Sequence, residues 1–457
     1  MLTSINDTIS AIATTIGTAS VSIVRLSGEN SIRIVSEMFS SSSGLKKLPD
    51  FQANRLYHGF IFDEKSVLDE AVVLVFKAPH SYTGEDVAEI QCHGGVSVTK
   101  AIFDLTLKHG ARIAEKGEFT KRAFLNHKID LSQAEAVLDI ISAKTEKFAR
   151  LSTTNLCGKF AIKIRDIRIR VLDLLTKITA SIDFPEEVEE LDYSYISEVI
   201  QGVVQEINSI LCTAETSNIL REGAKIAIAG KPNVGKSSLF NTLLSFERAI
   251  VTDIAGTTRD VIQETIDING IACVLLDTAG IRNLDETKIE NKVETIGINY
   301  SVQSIEQADL VLFLTDLSTE ATQEDFDIFE LVKDKNHIIT GTKSDLPCLN
   351  TYFKGVHTIS NVTKNGIEEL TTLIENALNM QDLNNDSEFL TNSRQQESLK
   401  NCKDSLLNAL KSTDDYTMQD FIAIDIKSAL ISLGEITGDD ITQEVLNNIF
   451  ENFCIGK

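Results

Sequence analysis

The chain of 457 residues has room for about three domains at roughly 150 residues each, and its 43 Lys plus Arg against 67 Asp plus Glu give a net charge of −24. That balance excludes a general basic coat for nucleic acid, so any RNA contact is local and strongly salt dependent. Cysteines at 92, 157, 212, 273, 348, 402 and 454 form no C-x-x-C pair, and the opening "MLTSINDTIS" lacks a basic-then-apolar leader; a cytoplasmic protein with reduced thiols is expected, without a disulfide framework, zinc site or membrane span.

Residues 1–125 mix short β-rich runs ("VSIVRLSG", "AVVLVFKAP", "AEIQCHGG") with turns and a few helices, which predicts an α+β domain. The texture turns helical over 126–222. Ile164, Ile167, Val171, Leu174, Ile178 and Ile182 recur at steps of three and four, one face of a long helix. Pro185 and the acidic run "DFPEEVEELD" interrupt it, and a second helical run reaches Leu220. Over 223–380 the apolar strands "KIAIAG", "ACVLLDTAG", "ADLVLFLTD" and "NHIITGTKSD" alternate with amphipathic helices, the pattern of a parallel doubly wound sheet. Helical texture resumes over 381–457. The expected fold class is therefore multidomain α+β and α/β: an amino-terminal α+β domain, and a discontinuous all-α domain into which a Ras-like P-loop domain is inserted.

"GKPNVGKS" fits G-x-x-x-x-G-K-[ST] after a strand and before the helix "SSLFNTLLS". Its glycines admit backbone amides to the phosphates, and the helix N-terminus adds partial positive charge. Lys236 is expected on the β- and γ-phosphates and the Ser237 hydroxyl on Mg²⁺. Thr258 in "TDIAGTTRD" is expected as a second Mg²⁺ ligand, and Asp277 in "DTAG" as a carboxylate holding Mg²⁺ through water, with the Gly280 amide at the γ-phosphate. Asp345 in "GTKSD" can accept from guanine N1–H and N2–H₂, a donor pair that adenine lacks, and Ser360 and Asn361 complete the base pocket. Residues expected around GTP are Asn233, Val234, Gly235, Lys236, Ser237 and Ser238; Thr252, Asp253, Ile254, Ala255, Gly256, Thr257 and Thr258; and Asp277, Thr278, Ala279 and Gly280. On the base side they are Thr342, Lys343, Ser344, Asp345, Ser360, Asn361 and Val362.

Two positions depart from the usual GTPase pattern. Thr342 stands where asparagine is usual, and its hydroxyl cannot offer a carboxamide to guanine and the phosphate loop together. Losing one neutral hydrogen bond costs about 0.5–1.5 kcal/mol, which tunes affinity and leaves specificity to Asp345. The alternative is that Thr342 only packs the loop. Ile281 follows Asp-x-x-Gly, where many GTPases carry a glutamine that orients the attacking water.

The strings "DTISAIAT", "SYTGEDVAEIQCHGG", "GEFTKRAFLNHKIDLSQAEA", "IDFPEE", "LREG", "TDIAGTTRD", "DTAGIR" and the terminal "FCIGK" together resemble the tRNA-modification GTPase MnmE (TrmE) family over the whole chain. The resemblance implies a homodimer built through an amino-terminal domain that binds 5-formyltetrahydrofolate or a related reduced folate, with GTP-dependent association of the GTPase domains. It implies a FAD-dependent partner, MnmG, in a heterotetramer. Together the two would add a carboxymethylaminomethyl or aminomethyl group to C5 of the wobble uridine of certain tRNAs. Folate contacts would fall on Arg25, Glu89, Lys128 and Lys457, whose charges suit folate carboxylates and pterin N–H groups. K⁺ would be held by Asn233, Thr252, Ile254 and Thr257, where an arginine finger otherwise acts. Glu294 would orient the water, with Glu286 and Glu290 as alternatives, so Glu294, Lys236 and Asn233 form the implied catalytic set. Cys454 reads either as a thiol nucleophile or as a small residue shaping the folate pocket; no flanking base supports a lowered pKa.

Two other classes compete. A ribosome-assembly GTPase of the Der type needs two phosphate loops, and one of the Era type a basic C-terminal RNA-binding domain; this chain has one loop and an acidic helical C-terminal region. A folate-dependent one-carbon enzyme with a regulatory GTPase domain is the third reading.

Overall fold

The computed structural model describes residues 7–41, 51–63, 66–246, 248–249, 263–276, 304–378 and 391–457. It forms two compact units, residues 1–138, 161–168 and 430–457 in one and residues 139–160 and 169–429 in the other.

In the first unit seven strands, β1 (Ile9–Ile12), β2 (Val21–Ser27), β3 (Phe39–Ser40), β4 (Arg55–Phe62), β5 (Val67–Phe76), β6 (Val87–His93) and β7 (Arg112–Ile113), make one sheet in the order β3-β4-β5-β6-β2-β1-β7. Alternation decides its faces: Val24 and Leu26 in β2 and Ala71, Val73 and Val75 in β5 are buried. Helices Ser31–Met38 and Val96–Lys108 cover that face through Ile34, Val35, Met38, Ile102 and Leu105. The sequence runs singled out above supply β2, β5 and β6; β4 was not among them. It pairs antiparallel with β5, yet its Leu56 is 62% exposed and Gly59 interrupts its apolar pattern. The carboxyl end of the chain belongs to this unit: Leu446, Phe450 and Phe453 pack with Phe124, Leu131 and Ala134, and Ile455 bridges to Lys116.

A charged cluster gathers around two buried residues, Arg122 and Glu118. The Arg122 side chain is 2% exposed and donates to Asp7 Oδ1 at 2.6 Å, Glu118 Oε1 at 2.9 Å and Glu85 Oε2 at 3.1 Å; Arg112 reaches Asp7 and Glu118 at 2.6 Å each. Burial pushes the Glu118 carboxyl up, but the Arg112 hydrogen bond, the Glu115 amide and Arg122 outweigh it and hold Glu118 below its ordinary 4.5. Burial likewise opposes Arg112 and Arg122 at Asp7, which the arginines hold below 3.8. Carboxylates depressed in the folded state stabilise it fully above their unfolded values, and that contribution fades as pH falls through the folded ones. Amide-exchange protection of β1 should therefore weaken as the pH drops below about 4.5, with little change between pH 6 and 8. Glu118→Gln should cost about 1.5–3 kcal/mol at neutral pH, because it removes the charged acceptor of Arg112 and Arg122 while Asp7 and Glu85 still balance them, and should flatten the acid dependence. A β1 protection profile in the variant that still falls steeply with acid would refute this account.

The second unit is built on β8 (Ala224–Ala229), β9 (Arg248–Ala249), β10 (Gln263–Ile268), β11 (Ile271–Leu276), β12 (Leu310–Asp316), β13 (His337–Thr342) and β14 (His357–Thr358), ordered β14-β13-β12-β8-β11-β10-β9. From β14 to β11 the pairings are parallel, as the alternating pattern predicts. The other edge differs: β10 runs antiparallel to β11 and β9 antiparallel to β10. The cause is local. Asn269 and Gly270 both have positive φ (50 and 83) and close a two-residue hairpin, helped by a 2.7 Å bond from the Gly270 amide to Asp267. Every residue of β12 is buried, matching the continuous apolar run of a central strand.

Helix Lys159–Asp183 buries Ile164, Ile167, Val171, Leu174 and Ile178 and stops before Phe184-Pro185, because a residue preceding proline disfavours the helical region. Helix Tyr193–Cys212, before the sheet in sequence, packs along helix Ser393–Asp414, after it. Gln419 Nε2 ties the two stretches further, donating to the Leu191 carbonyl at 2.7 Å.

Candidate nucleotide-binding site

Because β8, β12 and β13 are parallel, their carboxyl ends open on one edge, and the loops leaving them meet there. The loop after Ala229 runs into helix Lys236–Phe246, so Lys236 and Ser237 occupy its first turn, with the helix N-terminus facing back along the loop. Gly230 has φ +154, and a side chain there would meet the Leu314 carbonyl at 2.7 Å, so the loop needs glycine where it passes β12. Asn233 is exposed and takes the left-handed conformation (φ 61), which asparagine tolerates better than most residues. The Lys236 ammonium donates to the carbonyls of Gly230 at 2.6 Å and Lys231 at 2.9 Å, spanning the loop it is expected to serve. Lys231, given no role from the sequence, is tied at 2.8 Å to Asp325, a buried carboxylate that also caps helix Gln323–Val332.

On the base side Thr342 ends β13, fully buried, and its hydroxyl donates to the Val234 carbonyl at 2.6 Å. The threonine thus keeps the tie between this strand and the phosphate loop. Lys343 has φ 59, and its ammonium reaches Asp316 at the end of β12 at 2.6 Å. Burial raises Asp316 but the Lys343 bond and Ser318 prevail, keeping its carboxyl below the usual range. Asp316 was missed in the sequence; a charged residue closing the apolar run "LVLFLTD" at this edge was the signal. Asp345 is exposed and accepts from Ser360 Oγ at 2.6 Å, while Ser360 itself is buried and accepts from the amides of Val362 and Thr363. The structure thus brings together Asn233 to Ser238, Thr342 to Asp345 and Ser360 to Val362 at one edge. Thr252, Asp253, Ile254, Ala255, Gly256, Thr257, Thr258, Asp277, Thr278, Ala279, Gly280, Ile281, Glu286, Glu290 and Glu294 lie outside the described residues.

In the first unit Arg25 and Glu89 are register partners on β2 and β6 and form a 2.8 Å ion pair. Arg25 also donates to the Gly456 carbonyl at 3.3 Å, and its guanidinium lies 5.8 Å from the Tyr82 ring and 5.7 Å from the Phe119 ring. The tail is pinned by the Phe119 amide on the Lys457 carbonyl at 3.1 Å, with Cys454 exposed. Lys128 is exposed and caps the Pro79 carbonyl at 2.9 Å. Tyr82 and Phe119 joined this group only in three dimensions, since Tyr82 comes from the loop "SYTGED" and Phe119 from the first turn of helix Glu118–Leu125.

A mostly parallel sheet with a phosphate loop after its central strand and an aspartate in the base-side loop at the same edge defines the P-loop GTPase class. Residues 131–454 match the MnmE helical domain and residues 8–128 match the GTP-binding protein TrmE N-terminus. The tRNA modification GTPase MnmE of Thermoanaerobacter pseudethanolicus is 45% identical over 99% of this chain and 99% of its own. That of Clostridioides difficile is 43% identical over 99% of this chain and 100% of its own. A crystal structure of Aquifex aeolicus Era bound to GDP and aluminium fluoride is 24% identical, covering 40% of this chain and 66% of its own at a TM-score of 0.26. The chain belongs to the tRNA modification GTPase MnmE family.

Proposed function

We propose that this GTP hydrolase acts in tRNA modification by coupling a K⁺-stimulated GTPase cycle to one-carbon chemistry on a reduced folate. The observation that carries the GTPase half is the convergence of Lys236, Thr342 and Asp345 on one sheet edge, joined by the Thr342–Val234 bond. Lys236 releases the loop carbonyls to bind the β- and γ-phosphates, and Ser237 offers a hard oxygen suited to Mg²⁺. Asp345 reads the guanine edge. Asn233 offers a side-chain oxygen to K⁺ in the expected set with Thr252, Ile254 and Thr257, and Glu294 orients water in place of Ile281. Bound Mg²⁺ and K⁺ supply positive charge against the charge that develops on the phosphates.

In the amino-terminal region, Arg25, Glu89, Lys128 and Lys457 hold a formyltetrahydrofolate. A flat pterin with polar edges fits a charged pair flanked by the Tyr82 and Phe119 rings. The working assembly is a homodimer through residues 1–125 that joins the FAD-dependent MnmG and modifies C5 of the wobble uridine in the cytoplasm. In that reading residues 126–222 and 381–457 are the two halves of the helical domain around the GTPase domain of 223–380. Mass analysis of wobble uridines in tRNA from cells with and without the gene tests the whole reading; unchanged uridines would exclude it.

Deleting Cys454–Lys457 removes the carbonyls that accept from Arg25 and Phe119. Folate binding should fall below detection by calorimetry, while GTP binding stays within about twofold of the intact chain. Arg25→Gln, which leaves the tail in place, should weaken folate by about tenfold or more through loss of a charge-assisted bond. Undiminished folate affinity in both variants would remove this site.

A further inference from the structure

Asn361 stands beside Thr342 and the phosphate-loop glycine. A side chain built on Gly235 would lie 3.5 Å from Asn361 Nδ2 and 3.7 Å from Thr342 Cγ2. Thr342 has a single hydroxyl proton, and it is given to the Val234 carbonyl. Position 342 therefore keeps the structural half of what an asparagine does there and has nothing left for the base. Asn361 differs: its Oδ1 is shielded from solvent and has no hydrogen-bond partner among the described residues. Leaving a buried polar atom unmade is costly, and native chains rarely tolerate it without a use. Two neighbouring side chains at this edge are engaged, Asp345 with Ser360 and Lys343 with Asp316.

We infer that Asn361 supplies the carboxamide that Thr342 lacks, donating from its side-chain amide to N7 of the bound guanine. This rests on the GTP reading above. Asp345 takes the donor edge of the base, N1–H and N2–H₂, so what remains for an amide donor is the acceptor pair O6 and N7. N7 lies farther from the edge held by Asp345, and Asn361 leans toward Gly235. Rotation about its Cβ–Cγ bond can present the NH₂ to N7 and carry the oxygen out of its unpartnered position; the two ends of an asparagine amide have nearly the same shape. Base recognition is thus divided between two loops, with Thr342 binding the phosphate loop and Asn361 the base.

The test compares GDP with 7-deaza-GDP, which replaces N7 by C–H, on the full-length protein by calorimetry. The intact chain should bind the deaza nucleotide about three- to tenfold more weakly, the range of one neutral hydrogen bond. Asn361→Ala should weaken GDP by a similar factor and bind both nucleotides equally. Equal binding of the two by the intact chain would overturn the inference without any variant, as would an Asn361→Ala protein that still prefers GDP over its deaza form. ADP serves to separate the two levels: adenine also carries N7, so a chain that binds ADP as well as GDP overturns the GTP reading itself. One that rejects ADP but ignores N7 overturns the Asn361 assignment alone.

Discussion

Exchanging K⁺ for Na⁺ at matched ionic strength should slow GTP turnover by about 10²–10³-fold, the range seen when one preorganised charge-stabilising group is lost from a reaction site. The need arises at Ile281, whose side chain can neither orient water nor balance charge. A monovalent cation bound beside the phosphates can meet the second need, and Asn233 is the described residue of the expected set. It projects from the phosphate loop in a left-handed conformation, exposed and three residues before Lys236. Na⁺ is smaller and would fit a cage sized for K⁺ poorly. Asn233→Ala should abolish the difference between the two ions and leave nucleotide affinity nearly unchanged, because Lys236 and the loop amides remain. Glu294→Ala should slow hydrolysis while K⁺-dependent association of GTPase domains persists, separating water positioning from loop ordering. Equal turnover in K⁺ and Na⁺ would show that the ion is not the missing part. A fully active Glu294→Ala would direct attention to Glu286 and Glu290.

What could be read from the sequence followed from how local each signal is. The phosphate loop, the parallel strands and the buried face of helix Lys159–Asp183 were legible because spacing within a few residues sets them: a glycine pattern, an apolar run, a period of 3.6. The hairpin that turns β10 against β11 was equally local, written in Asn269-Gly270, yet the alternating texture around it drew the reading toward a uniformly parallel sheet. β4 escaped because its exposed face carries Leu56 and its buried face includes Gly59, which blurs the alternation. Pairings between distant residues were out of reach. No spacing rule links Lys231 to Asp325, Arg25 to Gly456, or the Thr342 hydroxyl to the Val234 carbonyl. The last of these changes the meaning of the departure at 342: the sequence posed packing and lost affinity as alternatives, whereas the hydroxyl makes the one bond to the loop that its single proton allows.

That division of labour makes Asp345 the residue whose replacement should matter most for base choice. Asp345→Asn should lower GTP affinity on the order of 10²–10³-fold and raise preference for xanthosine triphosphate. Ser360 is buried and accepts from the Val362 and Thr363 amides, which turns its proton toward Asp345 and holds the carboxylate in place. Each carboxylate oxygen has more than one lone pair, so the Ser360 bond leaves acceptors for both guanine N1–H and N2–H₂. Bonds to a charged acceptor contribute about 1.5–3 kcal/mol each, and asparagine loses the charge while turning a donor toward guanine's donors. Xanthine carries a carbonyl at C2, so the asparagine NH₂ can donate there while its oxygen accepts from N1–H. Thr342→Asn should behave differently. It exchanges one loop tie for another, so guanine preference should persist and affinity should move by no more than about tenfold. Competition of GTP and xanthosine triphosphate for one labelled guanine nucleotide reads both variants in the same assay. An Asp345→Asn protein that still prefers GTP would remove Asp345 from base recognition, whereas a Thr342→Asn protein that switched preference would move that role to the end of β13.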